Sequence, residues 1–358
     1  MSASFHTLTV AEVVDETSEA RSIRFAIPPE LAETFKFKPG QHLTLKADVA
    51  GEELRRNYSL CVAPHDGQVT VTVKRIAGGA FSNWANDSLK PGDSLEVMPP
   101  HGSFTWEFKP GAANHYVGFA GGSGITPVIS LLKTALLTEP GSRFTLFYGN
   151  RDSGSIIFLD ALASLKNRFM DRLQVYHFLA EEAEEFELFN GMLDRPKCEE
   201  ILQALIDPSE VAGFFICGPG PMMDAAEEAL RARGVDSTRI HLERFTADRP
   251  PEALQAQLAE LSREAAGLSM LVTLDGRKRR VPFDAAAGNI LDSAREAGLP
   301  APFACKAGVC ATCRAKVVSG AVEMAVHYGL TDEEVAAGYV LTCQSVPKGE
   351  GVELDYDA

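Results

Sequence analysis

Phe303-Ala304-Cys305-Lys306-Ala307-Gly308-Val309-Cys310-Ala311-Thr312-Cys313-Arg314 is the stretch on which the reading of this chain turns. Cys305, Cys310 and Cys313 have the C-x4-C-x2-C spacing of a plant-type [2Fe-2S] loop, and Cys343 stands as the distant fourth ligand. Two ferric ions and two sulfides need four thiolates, because soft sulfur suits iron–sulfur chemistry better than oxygen does. Ala307, Gly308 and Ala311 are small enough for the backbone to curl round a cluster and aim its N–H groups at the sulfurs. A structural zinc site is the alternative. Zinc loops ordinarily pair their cysteines as C-x2-C twice or recruit histidine, and no His lies in this loop. An electron-carrying cluster implies a source and a sink of electrons, so the rest of the chain must be searched for them.

At 358 residues the chain is too long for one ordinary core and implies two or three domains. Its 45% hydrophobic and 23% charged content is that of a soluble globular protein. A net charge of −15 argues against a nucleic-acid partner, since phosphate binding wants a basic surface. Of seven cysteines, Cys61, Cys198 and Cys217 lie outside the cluster set in unrelated contexts, which is no disulfide framework and points to a reducing compartment. The N-terminus lacks the basic start and apolar run of a signal peptide. The most apolar long segment, Tyr116–Leu137, is broken by four glycines, Pro127 and Lys133, and reads as strand, turn and buried helix, not as a membrane span. A cytoplasmic protein is expected, with no membrane partner.

Residues 1–110 alternate short β-type runs with turns at Pro39-Gly40, Asp66-Gly67 and Pro91-Gly92, the pattern of an antiparallel β-barrel. Within it, Arg56-Asn57-Tyr58-Ser59 puts Arg56 and Tyr58 on one face of a strand and Asn57 and Ser59 on the other. An aromatic ring there can lie on an isoalloxazine, a guanidinium can pair with a pyrophosphate, and a hydroxyl can reach a flavin N5 edge. Taken singly, a strand tyrosine is ordinarily half-buried core. Downstream, Val73-Lys74-Arg75 precedes Gly78-Gly79-Ala80-Phe81-Ser82, where Gly79 and Ser82 form a G-x-x-S turn able to hold an anion at a helix start. By itself this is a serine-capped hairpin-to-helix turn. Pro100-His101-Gly102 follows, and His101 reads as a surface loop residue.

These three motifs, in this order, resemble the flavin-binding half of the ferredoxin–NADP reductase superfamily. The resemblance implies FAD, not FMN, held by Arg56, Tyr58, Ser59, Val73, Lys74, Gly79, Phe81 and Ser82, with Ser59 at the reacting edge of the flavin.

From residue 111 to about 245 the pattern changes to strand followed by helix, as in a parallel α/β domain. His115–Ala120 reads as a strand, Gly121–Pro127 as a turn, and Val128–Leu137 as a helix with Thr126 as N-cap and Pro127 at the first helical position. The cradle Gly122-Ser123-Gly124-Ile125-Thr126-Pro127 is not the strict G-x-G-x-x-G, because Pro127 replaces the third glycine. It is similar instead to the G-x-G-x-x-P turn of the reductase superfamily, which implies nicotinamide binding by Gly122, Gly124 and Thr126. After the strand Arg143–Tyr148, the loop with Arg151, Asp152, Ser153 and Ser155 can reach an adenosine ribose. Arg151 and Ser155 could hold a 2′-phosphate, while the Asp152 carboxylate would oppose it; on balance NADPH is expected over NADH. Glu181–Glu187 reads as a solvated acidic connection. Cys217-Gly218-Pro219-Gly220-Pro221-Met222-Met223 resembles the segment against which the nicotinamide lies, with Cys217, Gly218 and Pro219 shaping that pocket and no covalent role for the thiol. The same resemblance places Glu243, in His241-Leu242-Glu243-Arg244-Phe245, beside the flavin, so Ser59, Cys217 and Glu243 are the expected catalytic set.

Residues 246–268 read as a tether: Asp248-Arg249-Pro250-Pro251 breaks structure and Glu252–Ala266 leans helical. From 269 to 358 the strand, turn and short-helix order resembles a β-grasp ferredoxin, and Arg277–Arg280 reads as a charged hairpin edge, not a nucleic-acid patch. Flavin barrel, nicotinamide domain and C-terminal ferredoxin stand in the order of a class of oxygenase reductases, with the greatest likeness to reductase subunits of phenylacetyl-CoA epoxidases. That implies a route from NADPH through FAD and [2Fe-2S] to a di-iron oxygenase. A steroid hydroxylase or ring-hydroxylating dioxygenase as client, and a non-catalytic redox sensor, are the alternatives.

Overall fold

The computed structural model describes residues 5–183, 186–245 and 252–358. Asp248, Arg249, Pro250 and Pro251, together with Glu184 and Glu185 of the acidic run, lie outside the described residues. The chain forms two compact units, one of His6–Leu54 with Tyr58–Glu243, the other made chiefly of Arg244–Ala358.

The first unit holds two sheets. β1 (His6–Thr17), β2 (Ala20–Ala26), β3 (His42–Val49), β4 (Glu52–Ser59), β5 (Val69–Lys74) and β6 (Ser94–Val97) form one, in the order β4-β3-β6-β1-β2-β5. An isolated antiparallel bridge between Leu60 and Val71 ties its two ends together into the expected barrel. Alternation along the strands turns Leu8, Ile23, Leu43, Leu45, Val71 and Val73 into the core. Helix α1 (Ala80–Ser88) plugs one end with Phe81 and Ala85.

The second sheet has the order β11-β10-β7-β8-β9, from β7 (His115–Gly121), β8 (Arg143–Asn150), β9 (Leu173–Leu179), β10 (Val211–Cys217) and β11 (Ile240–Glu243). All its pairings are parallel, and β7 is buried along its whole length, as expected for a sheet covered by helices on both faces. The covering helices are α2 (Ile125–Thr138), α3 (Leu159–Arg168), α4 (Arg195–Leu205) and α5 (Gly220–Ala232). The chain runs from β7 to β8 and β9 on one side, then returns to β10 and β11 on the other. The strand order therefore reverses between β7 and β10, and the loops leaving both strands emerge side by side. Two contacts lock α2 to the barrel: the Ser130 hydroxyl donates to the Val62 carbonyl at 2.6 Å, and Lys133 Nζ lies 2.6 Å from Asp66.

His115, at the start of β7, is a buried cost at low pH. Burial, helped by the charge of Arg143, pushes its pKa down to about 4. Between the ordinary value near 6.5 and about 4, the unfolded chain binds a proton that the native one refuses. Stability should therefore fall as pH drops through that window. His115→Gln should flatten this part of a denaturant-midpoint-versus-pH curve, and an unchanged slope would remove the argument.

The second unit opens with α6 (Glu252–Glu264), then β12 (Ser269–Leu274), β13 (Arg277–Pro282), α7 (Ile290–Glu296), β14 (Arg314–Ser319), β15 (Val322–Met324), α8 (Asp332–Ala336), β16 (Tyr339–Leu341), β17 (Ser345–Pro347) and β18 (Val352–Asp355). The mixed sheet β13-β12-β18-β14-β16 wraps α7 around a core of Met270, Val272, Ile290, Leu291, Leu341 and Leu354. The stretch read as a tether is helical but is not simply a connector. Leu258 and Leu261 of α6 pack on this core, and the Ser262 hydroxyl donates to the Ala285 carbonyl at 3.0 Å. Arg277 to Arg280 lie exposed on β13, the outermost strand, as expected of a charged edge. Among the described residues no helix is long and apolar enough to cross a membrane.

Candidate active site and cluster loop

In the cluster loop, Cys310, Cys313 and Cys343 are buried and Cys305 is half-buried. Lys306, Gly308 and Ala311 adopt positive φ, which curls the loop back on itself. Gly308 has no room for a side chain: a Cβ there would lie 2.7 Å from Val326 Cγ2. The Ala307 N–H already points at Cys305 Sγ from 3.3 Å. Cys343 sits on a single helical turn, Thr342–Gln344, between β16 and β17. The turn is held by Thr342, whose hydroxyl donates to the Cys313 carbonyl (2.9 Å) and accepts from Tyr356 (2.8 Å). Gln344 Nε2 donates to the Lys306 carbonyl, fastening the fourth ligand to the loop of the first three.

The sulfurs associate in pairs. Cys305 shares a hydrogen bond with Cys310, raising the first thiol and lowering the second, while Cys343 is raised chiefly by Cys313. Among the described residues no three His, Cys, Asp or Glu side chains converge as they would on one ion. Four neighbouring cysteine thiols, three of them in C-x4-C-x2-C spacing, are the ligand set of a plant-type binuclear cluster. The cysteines fit [2Fe-2S].

In the barrel, Tyr58 is half-buried and backed by Phe81, ring centroids 5.7 Å apart, with Trp84 edge-on to Phe81. Phe81 is thus a support for Tyr58 within the core. Val73 is also turned into the core, and its carbonyl accepts from Asn86, so the side chain offers nothing to a cofactor. Arg56 is exposed on β4. Ser59 is buried, and its hydroxyl has no partner among the described residues, which is what a cofactor atom would satisfy. At the start of α1, the Ile76 N–H donates to the Ser82 hydroxyl (3.1 Å), and a Cβ at Gly79 would lie 2.6 Å from that oxygen. Lys74 Nζ reaches to within 3.5 Å of where a Gly122 side chain would begin, linking barrel and glycine cradle.

The cradle and the Cys217 loop are interlocked. A Cβ on Gly124 would sit 2.0 Å from the Cys217 carbonyl oxygen, and one on Gly218 2.9 Å from the Gly121 nitrogen. Pro219 caps α5 and lies against Gly121. Tyr148, which the motifs did not single out, donates to the Gly122 carbonyl at 3.0 Å and fixes the turn from below. Thr126 is not the N-cap: α2 begins at Ile125 after a tight turn over Gly122–Gly124, with Gly124 capping. Pro127 then falls at the third helical position, where its missing N–H would have had no intrahelical partner in any case. Thr126 is buried and its hydroxyl donates to the Ser123 carbonyl, closing the turn.

Arg151 is exposed and paired with Asp152 at 2.8 Å, with Glu19 4.0 Å away, and this contact holds the Asp152 carboxyl below its usual range. Ser155 is buried and its hydroxyl is spent on the turn, donating to the Asp152 carbonyl and accepting from the Asp152 N–H, so it is not the phosphate ligand expected. Ser153 is likewise engaged by Glu182.

Cys217 ends β10 in register with Glu243 on β11. The thiol is fully buried, and burial first, then the Glu243 charge, push its pKa well up, so it is no nucleophile. Burial also raises the Glu243 carboxyl to about 8, and one of its oxygens has no partner among the described residues. His42 Nδ1 lies 3.4 Å from the other. His101 is not a simple surface residue: backbone hydrogen bonds in both directions tie it to His42, and the two rings meet edge-on at 4.3 Å.

A flavin barrel, a dinucleotide cradle and a paired-thiol cluster loop define an electron-transferring reductase. The oxidoreductase FAD-binding domain family matches residues 7–106, the oxidoreductase NAD-binding domain family 119–228, and the 2Fe-2S iron-sulfur cluster binding domain family 272–348. One subunit of the 1,2-phenylacetyl-CoA epoxidase of Escherichia coli is 44% identical over 99% of this chain and 98% of its own length. The ferredoxin reductase component of 3-ketosteroid-9-alpha-monooxygenase from Rhodococcus rhodochrous is 38% identical over 98% and 96%. The solved structure of phthalate dioxygenase reductase, 24% identical, shares the fold with a TM-score of 0.59 over 98% of both chains. The chain belongs to the family of oxygenase reductase components that join FAD-binding, NAD-binding and C-terminal [2Fe-2S] domains, the family of the phenylacetyl-CoA epoxidase reductase subunit.

Proposed function

We propose that this chain is the reductase subunit of a cytoplasmic phenylacetyl-CoA 1,2-epoxidase, carrying electrons from NADPH to a di-iron oxygenase subunit. Its domains are taken as 1–110 for FAD, 111–245 for the nicotinamide, 246–268 as a linker whose helix docks on the domain that follows, and 269–358 for the cluster. The observation that carries the choice of client is the 44% identity running end to end. When bound, FAD would supply two-electron hydride acceptance and the cluster single-electron transfer, and the chain would link the two. The chain supplies placement. Tyr58 offers a ring face to the flavin and Ser59 an unspent hydroxyl; Arg56, Lys74, Gly79 and Ser82 serve its phosphates. Gly122, Gly124 and Thr126 shape the nicotinamide cradle, closed by Cys217, Gly218 and Pro219. Glu243 holds a proton beside the flavin. Cys305, Cys310, Cys313 and Cys343 hold the cluster.

The test is reconstitution. Epoxidation of phenylacetyl-CoA by the oxygenase subunits should require this chain and NADPH. Support of a ketosteroid hydroxylase, with none for the epoxidase, would move the client to the kind served by the Rhodococcus relative. A chain whose cluster is not reduced rapidly by NADPH would be a sensor instead.

Nicotinamide choice rests on Arg151, already half-neutralised by Asp152. Arg151→Ala should raise the Michaelis constant for NADPH roughly three- to tenfold more than that for NADH, about 1 kcal/mol of preference. Asp152→Asn should move the ratio the other way. Ratios that stay put in both variants would dispose of the 2′-phosphate contact.

A further inference from the structure

We infer that His42 is a positioning residue for Glu243: its imidazole holds one carboxyl oxygen, leaving the other to face the bound cofactor. This rests on the reading of Glu243 as the proton-holding group beside the flavin.

The seat of the His42 ring is built from three sides. A Cβ at Gly102, whose φ is +116°, would lie 2.8 Å from His42 Nδ1 and 3.0 Å from Cε1, so a glycine is needed there for the ring to fit. His101 meets the ring edge-on, interplanar angle 68°. His101 is itself fixed, Nδ1 against the Pro99 carbonyl (2.9 Å) and Nε2 against the Thr44 hydroxyl (3.3 Å). His42 N–H donates to the His101 carbonyl and His101 N–H to that of His42, pinning loop to strand. The remaining side is Glu243, Oε1 at 3.4 Å from Nδ1. Its Oε2 is buried and unpartnered among the described residues. A carboxyl kept protonated by burial near neutral pH needs an acceptor for its hydrogen, and Nδ1, 3.4 Å from Oε1 and outside ideal hydrogen-bond geometry, is the nitrogen assigned to it. The titratable groups facing this pair are His101 from the loop and Cys217 from β10, the latter beside Glu243. Neither local sequence nor motif connects His42 with Glu243, which lie on sheets of different kinds in the same unit.

The test is a double-mutant cycle on the FAD-loaded full chain, read as the stopped-flow rate of flavin reduction by NADPH against pH. His42→Phe should slow reduction about tenfold with flavin content and the Michaelis constant nearly unchanged. It should also move the pH limb assigned to Glu243 downward, because the protonated carboxyl has lost its acceptor. His42→Asn, whose amide overlaps the ring Nδ1 position, should recover most of the rate. In a Glu243→Gln background, His42→Phe should add little. A silent Glu243→Gln would bring down the role of Glu243 itself. A damaging Glu243→Gln with an additive His42→Phe, or with an unmoved pH limb in His42→Phe, would overturn only the positioning role.

Discussion

Cys310→Ser should abolish electron delivery to a cytochrome or to the oxygenase, by more than roughly 100-fold, while NADPH:ferricyanide activity stays within about twofold. Cys310, the hydrogen-bond neighbour of Cys305, would hold the cluster through its thiolate, and serine would offer iron a harder oxygen donor. Gln344 and Thr342 would still hold the fourth ligand in place, so the second pair would remain while the first is broken. Ferricyanide can take electrons from the flavin directly, without passing them through the cluster. The measurement is parallel steady-state assays, with visible and EPR spectra reporting the cluster. Equal loss of both activities would mean that the electrons do not follow this route.

The second large effect is steric. Gly124→Ala would place a methyl 2.0 Å from the Cys217 carbonyl oxygen, 2.4 Å from its carbon and 2.7 Å from the Gly218 nitrogen. These are backbone atoms of a buried strand end, so no rotamer change relieves the clash and the two loops must part. Overpacking of this kind costs on the order of 1–3 kcal/mol or more. The proposed nicotinamide pocket lies between those same loops, so NADPH-driven flavin reduction should fall by more than about 100-fold, while dithionite still bleaches the bound flavin. Gly111→Ala, with nothing within 4 Å, is the control for substitution as such. A Gly124→Ala enzyme that NADPH reduces at the normal rate would show that the loops are not packed as described.

Whatever depends on near neighbours could be read before any fold was known. The cysteine spacing of the cluster loop, the glycine cradle and the alternation of the barrel strands all express contacts within about ten residues along the chain. The misreadings share the opposite character. Thr126 looked like a cap because threonine before proline ordinarily is one, but the glycines upstream let the chain tighten two residues earlier. Ser155 looked like a phosphate ligand until its hydroxyl was found bound to Asp152 on both sides. Glu252–Ala266 read as tether because its composition is polar, yet Leu258, Leu261 and Ala265 are enough to dock it. His42 gave no signal at all, since its meaning depends on a carboxylate some two hundred positions away that only tertiary folding brings near.

The Ser130 and Lys133 latches make the flavin half and the nucleotide half a single casting, whereas the iron–sulfur piece carries its own hydrophobic interior, docked helix included. Nature can therefore trade the terminal carrier wholesale, by fusion or deletion, without recutting the hydride machinery. The flavin and nucleotide halves, latched to each other, would be expected to move as one cassette.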